Sequence, residues 1–394
     1  MIQNDKGIPN MIIQDETGKG SKIGKSMISV VLTLICLVLT VHILLMVFSG
    51  SSFGGHGILK GSVGYNLLDQ FDNYITNLTS TALDGIIEVE KIYVLNDSDQ
   101  VAPEPNHNLF RTAQNPKDLQ LTINEVYKRL NGDELLFSTE TPLMEGSDVH
   151  YYLDDTIFAV TWKQVLNSAV YTFSEVKIQH PSQFRRFLAD GTYGSDKQYL
   201  TSQMASSVNA VVASSGDFYK YRHIGLLVCN GKVERYEGNY LDNCFVDDQG
   251  DLIFTRPTDL LSKDELEKFV QERSIRFSLS FGPILIENGN SCVQSPYPIG
   301  EIAGNYARAA LCQQGPLHYI LVTANDEGIY AGFPTVFDFA DTLASVGVKK
   351  AYALDGGQTA TIVMNDQVIN HVSYGAERYI SDIIYFATAI PSTK

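Results

Sequence analysis

From about Val149 to the C-terminus the chain runs as short apolar segments separated by Gly, Pro, Asn and Asp, and this rhythm restricts the fold more than any other feature. Strands are expected at Ile157–Thr161, Ala169–Phe173, Ala210–Ala213, Ile224–Cys229, Ile275–Phe281, Tyr319–Thr323, Ala351–Leu354 and Ile383–Ala389. Three helices are expected among them. Pro181-Ser182 opens one bearing Phe184, Phe187 and Leu188, and Ser262 with Glu265 forms a capping box ahead of Leu266, Phe269 and Val270. Thr335 with Asp338 caps the third, which carries Phe339, Ala340 and Leu343 and ends at Gly347. Few helices among many strands, without β-α alternation, predict an α+β fold with a mixed β-sheet core.

Upstream the character is different. Met27 to Phe48 has no charged residue and would span about 33 Å as a helix, enough for a hydrocarbon core of about 30 Å. Lys6, Lys19, Lys22 and Lys25 precede it, whereas the first basic residue after it is Lys60. A single-pass transmembrane helix at 26–48 is therefore expected, anchored in a lipid bilayer with residues 1–25 cytoplasmic and the C-terminal part extracytoplasmic. Residues 49–148 divide into a Gly/Ser-rich spacer and a partly helical stalk. The stalk carries Leu67–Leu78 and Leu119–Leu130 at helical spacing, the second closed by Asn131-Gly132. Residues 149–394 are long enough for one large core. A net charge of −16 argues against a nucleic-acid partner, which needs a basic stripe. Cys229, Cys244, Cys292 and Cys312 would face an oxidising space; Cys229–Cys244 and Cys292–Cys312 are the expected pairs, four buried thiols the alternative.

The chemistry concentrates in a few segments. Ala351–Leu354 runs into Asp355-Gly356-Gly357-Gln358-Thr359-Ala360-Thr361, which packs a carboxylate, two glycines and two hydroxyls into one turn. Asn209–Ser214 leads to Ser215-Gly216-Asp217-Phe218-Tyr219, and Phe281-Gly282-Pro283 kinks another strand. Arg308 stands alone in an apolar run, and Glu377-Arg378 closes the set. Taken in order, these segments resemble the phosphodiester glycosidase family over roughly Tyr151 to Pro391. Two positions depart from the family pattern, which commonly shows Asn-Gly-Asp or Asn-Gly-Gly at the first site and Asp-Gly-Gly-Gly-Ser at the last; Ser215 and Gln358 stand there instead.

The resemblance implies hydrolysis of a sugar 1-phosphodiester in a phosphate-linked glycan of a bacterial envelope or exopolysaccharide. The same scaffold could instead bind glycan without turnover. Asp355, Asp217, Arg308 and Glu377 are the candidate catalytic residues, with Arg308 clamping phosphate and Asp355 or Asp217 acting as base or nucleophile. Ser215, Gly216, Gly356, Gly357, Thr359, Thr361 and Arg378 are the candidate substrate contacts, the glycine amides serving as oxyanion donors. No cofactor is expected. A divalent cation stays open, since Asp154-Asp155 and Asp247-Asp248 are either cation ligands or solvated loop residues.

Overall fold

Two long strands, Ile157–Leu166 and Ala169–Ile178, pair along their whole length. The turn between them has Asn167 and Ser168 at φ of 50° and 67°, the left-handed pair that matches strand twist in a two-residue hairpin. The computed structural model describes residues 93–96, 99–130, 134–295, 297 and 303–391, all within one compact unit, Lys91–Lys394. The apolar run at 26–48, the spacer, the Leu67–Leu78 pattern and Asn131-Gly132 lie outside the described residues. Among those described, no helix is long and apolar enough to cross a membrane.

The hairpin sits inside a nine-stranded sheet. Its order is Arg111–Ala113, Val149–Leu153, the hairpin, His318–Asn325, Arg308–Gly315, Lys350–Leu354, Ile284–Glu287 and Asn290–Ser291. A second sheet of five strands runs Gln367–Val368, Ile362–Met364, Val212–Ser215, Asp382–Phe386 and Phe184–Leu188. Smaller sheets hold Leu252–Thr255, Asn243–Val246 and Phe277–Leu279, and Gly225–Cys229 with Lys232–Glu237.

Side-chain alternation builds the layers. Val160, Trp162, Ala310 and Ala353 face a core shared with the Val336–Ser345 helix. Ile157, Ala159, Leu311 and Leu354 face the opposite way, against Val212, Ile362, Ile384 and Phe386 of the five-stranded sheet. The far side of that sheet packs on the Thr201–Ser207 helix through Ala213, Val363, Ile383, Met204 and Ala205. The result is helix, sheet, sheet, helix, an α+β arrangement.

Several expectations are corrected. The sheet was expected to be mixed, yet every strand pairing described is antiparallel, because hairpins and loops replace crossover connections. Pro181–Gln183 is a single 3-10 turn and Phe184–Leu188 a strand, not a helix. The i, i+3, i+4 spacing of Phe184, Phe187 and Leu188 imitates a helix because both faces of this strand are partly covered, which erases simple alternation. The described part of the 65–140 stretch is no separate stalk: Leu119, Ile123, Val126, Leu130, Leu135 and Phe137 belong to the same core as Phe158 and Trp162. The four described cysteines are free thiols, Cys244 and Cys312 fully buried in different clusters. The acidic pairs are turn caps in part: Asp154 accepts from the Thr156 and Ile157 amides, and Asp247 from those of Gln249 and Asp251.

Candidate active site

The strands Arg308–Gly315 and Lys350–Leu354 pair with Ala309 opposite Leu354, so Arg308 and Asp355 stand opposite one another one step beyond the ladder. Both lie on the face that also carries Ala310 and Ala353. Just past them the backbones nearly touch, since a Cβ added at Gly356 would lie 2.5 Å from the Ala307 carbonyl oxygen. That contact requires glycine, and the Gly357 amide then donates to the same carbonyl at 2.7 Å. Gly357 itself has φ of 62°, the left-handed backbone its missing side chain permits.

A cavity of about 330 Å³ opens over this point. It is lined by Asp355, Gly356 and Gly357, by Arg222, Arg308 and Arg378, and by the rings of Phe218, Phe281, Tyr297 and Tyr306, with Val336 and Phe339 of the adjacent helix at its floor. Each arginine is held in place. Arg308 donates through Nε to the Pro334 carbonyl at 3.2 Å and through Nη2 to the Gly304 carbonyl, and lies 5.7 Å from the Tyr306 ring. Arg222 donates to the Phe281 carbonyl at 2.7 Å and stacks over that ring at 4.7 Å. Arg378 sits over Phe218 and Tyr221 at 5.7 and 5.2 Å.

Burial raises the Asp355 carboxyl to about 7, with Asp217 adding to the rise, against the Thr359 hydroxyl and the Arg378 and Arg222 charges, which lower it. Burial lowers Arg308 to about 10, which still leaves it cationic at neutral pH. The cavity thus joins three cations, a wall of aromatic rings and one carboxyl poised at neutrality.

Five of the residues expected from sequence meet here: Arg308, Asp355, Gly356, Gly357 and Arg378. The others are placed differently. Asp217 is buried; its Oδ1 accepts from the Phe218 amide and its Oδ2 from the Ser280 amide, both at 2.7 Å. It does not line the cavity, but it fixes the two segments that present Phe218 and Phe281. Gly216 lies against Asp382, where a Cβ would come within 2.4 Å of the carboxylate. Glu377 is turned away from the cavity: it accepts from the amide and hydroxyl of Ser202 and so caps the Thr201–Ser207 helix. Ser215 and Thr361 are adjacent through a backbone hydrogen bond at 3.2 Å, with buried hydroxyls that have no hydrogen-bond partner among the described residues. Thr359 donates its hydroxyl to the Gly356 carbonyl, stiffening the turn rather than facing solvent. The Gly357 amide, expected as an oxyanion donor, is already bonded to Ala307.

Sequence reasoning missed Arg222, which sits five residues after Asp217 among tyrosines with nothing local to mark it. It also missed the buried pair Arg186–Asp382, with Nε to Oδ2 at 2.8 Å and Asp217 3.8 Å from the same guanidinium. Burial alone would lower Arg186, but Asp382 outweighs it and holds the group charged. The available signal was a carboxylate opening the apolar run Ile383–Phe386. Among the described residues, no group of three or more His, Cys, Asp or Glu side chains converges as a metal site would require.

Residues 208–387 match the model of the phosphodiester glycosidase family. This stretch is a phosphodiester glycosidase domain. It contains every one of the expected site residues and all the arginines of the cavity. No curated protein matches the chain. Among solved structures, it is similar to a hypothetical protein from Synechocystis at 13% identity and a TM-score of 0.49, covering 63% of this chain and 64%, under two thirds, of that one. It is also similar to the catalytic domain of zebrafish N-acetylglucosamine-1-phosphodiester alpha-N-acetylglucosaminidase, at 16% identity and a TM-score of 0.47, covering 76% of this chain and 98% of that one.

Proposed function

We propose that this protein hydrolyses a sugar 1-phosphodiester within a phosphate-linked envelope glycan or exopolysaccharide. In this reading the 26–48 segment anchors the chain in a lipid bilayer and the glycosidase domain lies outside the cell. The observation that supports it best is the meeting of Arg222, Arg308 and Arg378 with a half-buried Asp355 in one cavity. Guanidinium groups suit the phosphodiester anion and the phosphate monoester that leaves, because each offers planar paired donors. The leaving group is a weak base and needs little protonation, so the carboxyl is better employed on water. Asp355, as carboxylate, takes a proton from a water molecule whose oxygen forms the new bond to the sugar C1 carbon. The bond from C1 to the phosphate oxygen breaks, and its electron pair departs with the phosphate beside the arginines. Three fixed cations stabilise the charge that grows there. Phe218, Phe281, Tyr297 and Tyr306 give the sugar apolar faces to lie against.

The decisive experiment is turnover of a nitrophenyl-phosphodiester sugar by wild type, Arg308→Ala and Asp355→Asn. Both substitutions are expected to reduce kcat/KM at least a hundredfold while near-UV circular dichroism stays native. Retained activity in either variant removes that residue from the reaction. One observation favours the second reading, glycan binding without turnover: Asp355 is the sole carboxylate lining the cavity among the described residues. Binding of sugar phosphodiesters with no release of product would establish it. For the anchor, a C-terminal tag on intact cells should be accessible to protease, and a protected tag would place the domain inside.

A further inference from the structure

The segments around the cavity of about 330 Å³ carry several exposed tyrosines. Tyr374 is 90% exposed, Tyr379 57%, Tyr306 48% and Tyr221 38%, so each presents a large ring to solvent. All four belong to segments that adjoin the residues lining the cavity. Tyr306 lines the cavity itself. Tyr221 stacks on the lining residue Phe218 with centroids 4.8 Å apart and an interplanar angle of 24°, and its hydroxyl approaches the Tyr379 carbonyl at 3.5 Å. Tyr379 follows Arg378, and the 3-10 turn Ser373–Gly375 that carries Tyr374 packs on the turn Gly357–Thr359.

Two features show that this rim is held open as a surface. The first is the backbone of Tyr374, at φ of 66°, where Asn or Gly would sit more easily than an aromatic residue. A bulky ring kept almost wholly in water on a strained residue gains nothing from packing. The second is the way its loop is tied down. Gln358 Nε2 donates to the Ala376 carbonyl at 3.1 Å, and Glu377 is fixed on Ser202. Gln358 is not among the residues lining the cavity; it latches the loop that presents Tyr374, Arg378 and Tyr379.

We infer that Tyr221, Tyr374 and Tyr379 form an outer subsite for further sugar rings, so that the substrate is an oligomeric or polymeric glycan chain. The inference rests on the phosphodiester reading of the cavity, which the platform extends. Tyrosine rings suit pyranose faces because they combine an apolar face with a hydroxyl, at low entropic cost of ordering.

The test is the double variant Tyr374→Asn, Tyr379→Ser in the full chain. Asn accepts the left-handed backbone at 374, and both positions are exposed, so folding is preserved. On the nitrophenyl-phosphodiester of a single sugar and on that of a tetrasaccharide, wild type should show the higher kcat/KM for the longer substrate. That preference should fall at least fivefold in the double variant, through KM. In parallel, titration calorimetry with two neutral probes, cellohexaose and the hexamer of N-acetylglucosamine, should show binding to wild type weakened at least fivefold by the substitutions. An unchanged length preference, or wild-type failure to bind either hexamer, overturns the subsite. Hexamer binding that depends on the tyrosines, with no turnover of either phosphodiester, sustains the platform while refuting the hydrolase.

Discussion

Asp355 is the residue on which the chemistry turns, and its environment gives the reaction a pH signature. A carboxyl raised to about 7 is protonated below that pH, and a protonated carboxyl cannot accept a proton from water. The rate constant kcat/KM should therefore rise tenfold per pH unit below about 7 and level off above it; a descending limb there would assign Asp355 the acid role instead. The same shift affects stability with a definite sign. The folded state holds its proton to higher pH than the unfolded chain, so stability is full below the ordinary carboxyl pKa near 4 and is lost as pH rises through 7. Asp355→Asn should thus raise Tm relative to wild type by an amount that grows from pH 5 to pH 8. Substituting Asp217 acts in the other direction, through its hydrogen bonds. Removing it leaves the buried amides of Phe218 and Ser280 without acceptors and strips a neighbour from Arg186, so Asp217→Ala should destabilise the fold by about 3 kcal/mol in urea melts. A loss under 1 kcal/mol would show that its hydrogen bonds are dispensable.

At the scale of elements, the loop from Ser373 to Tyr379 shows how a motif read as chemistry divides into chemistry and support. Arg378 faces the cavity, whereas its neighbour Glu377 satisfies the amide and hydroxyl of Ser202 at a helix N-terminus. Glu377→Ala should cost about 1 kcal/mol of stability, in the range of a lost cap, and Glu377→Gln should recover part of it. If Glu377→Ala instead abolishes turnover at unchanged Tm, the residue belongs to the reaction after all. The capped helices Lys263–Glu272 and Val336–Ser345 were legible because Ser262 and Thr335 supply side-chain acceptors where the hydrophobic repeat begins. Phe184–Leu188 was misread because a strand covered on both sides has no alternation to read. The Thr201–Ser207 helix was missed: it is two turns long, its first residue follows Leu200 without a side-chain cap, and its acceptor, Glu377, comes from far along the chain.

Over the whole molecule, the glycosidase domain does not begin where its strand rhythm begins. Leu119, Ile123, Val126, Leu135 and Phe137 close the core beneath Trp162 and Phe173. A truncated chain starting at residue 149 would leave that apolar face in water. It should aggregate or melt at least 10 °C lower than one starting at Lys91, as light scattering and calorimetry would report. Equal stability of the two would mean that the upstream helix only rests on the domain.

What the sequence determined was local. Turn chemistry at Asp355-Gly356-Gly357, strand runs around it, two capped helices and the ordered spacing of the motifs were enough for the α+β class and for the resemblance that the match over residues 208–387 bears out. These are readable because backbone conformation and hydrophobic periodicity depend on near neighbours. What only the tertiary structure decided was which polar groups share a space. Arg222 and Arg308 lie far apart in the chain and meet through a loop and the end of an interior strand, while Asp217 and Glu377, equally promising as carboxylates, are claimed by buried amides and a helix end. Whether a charged side chain serves a ligand or its own fold depends on which donors the packing leaves beside it, and a linear sequence does not encode that proximity.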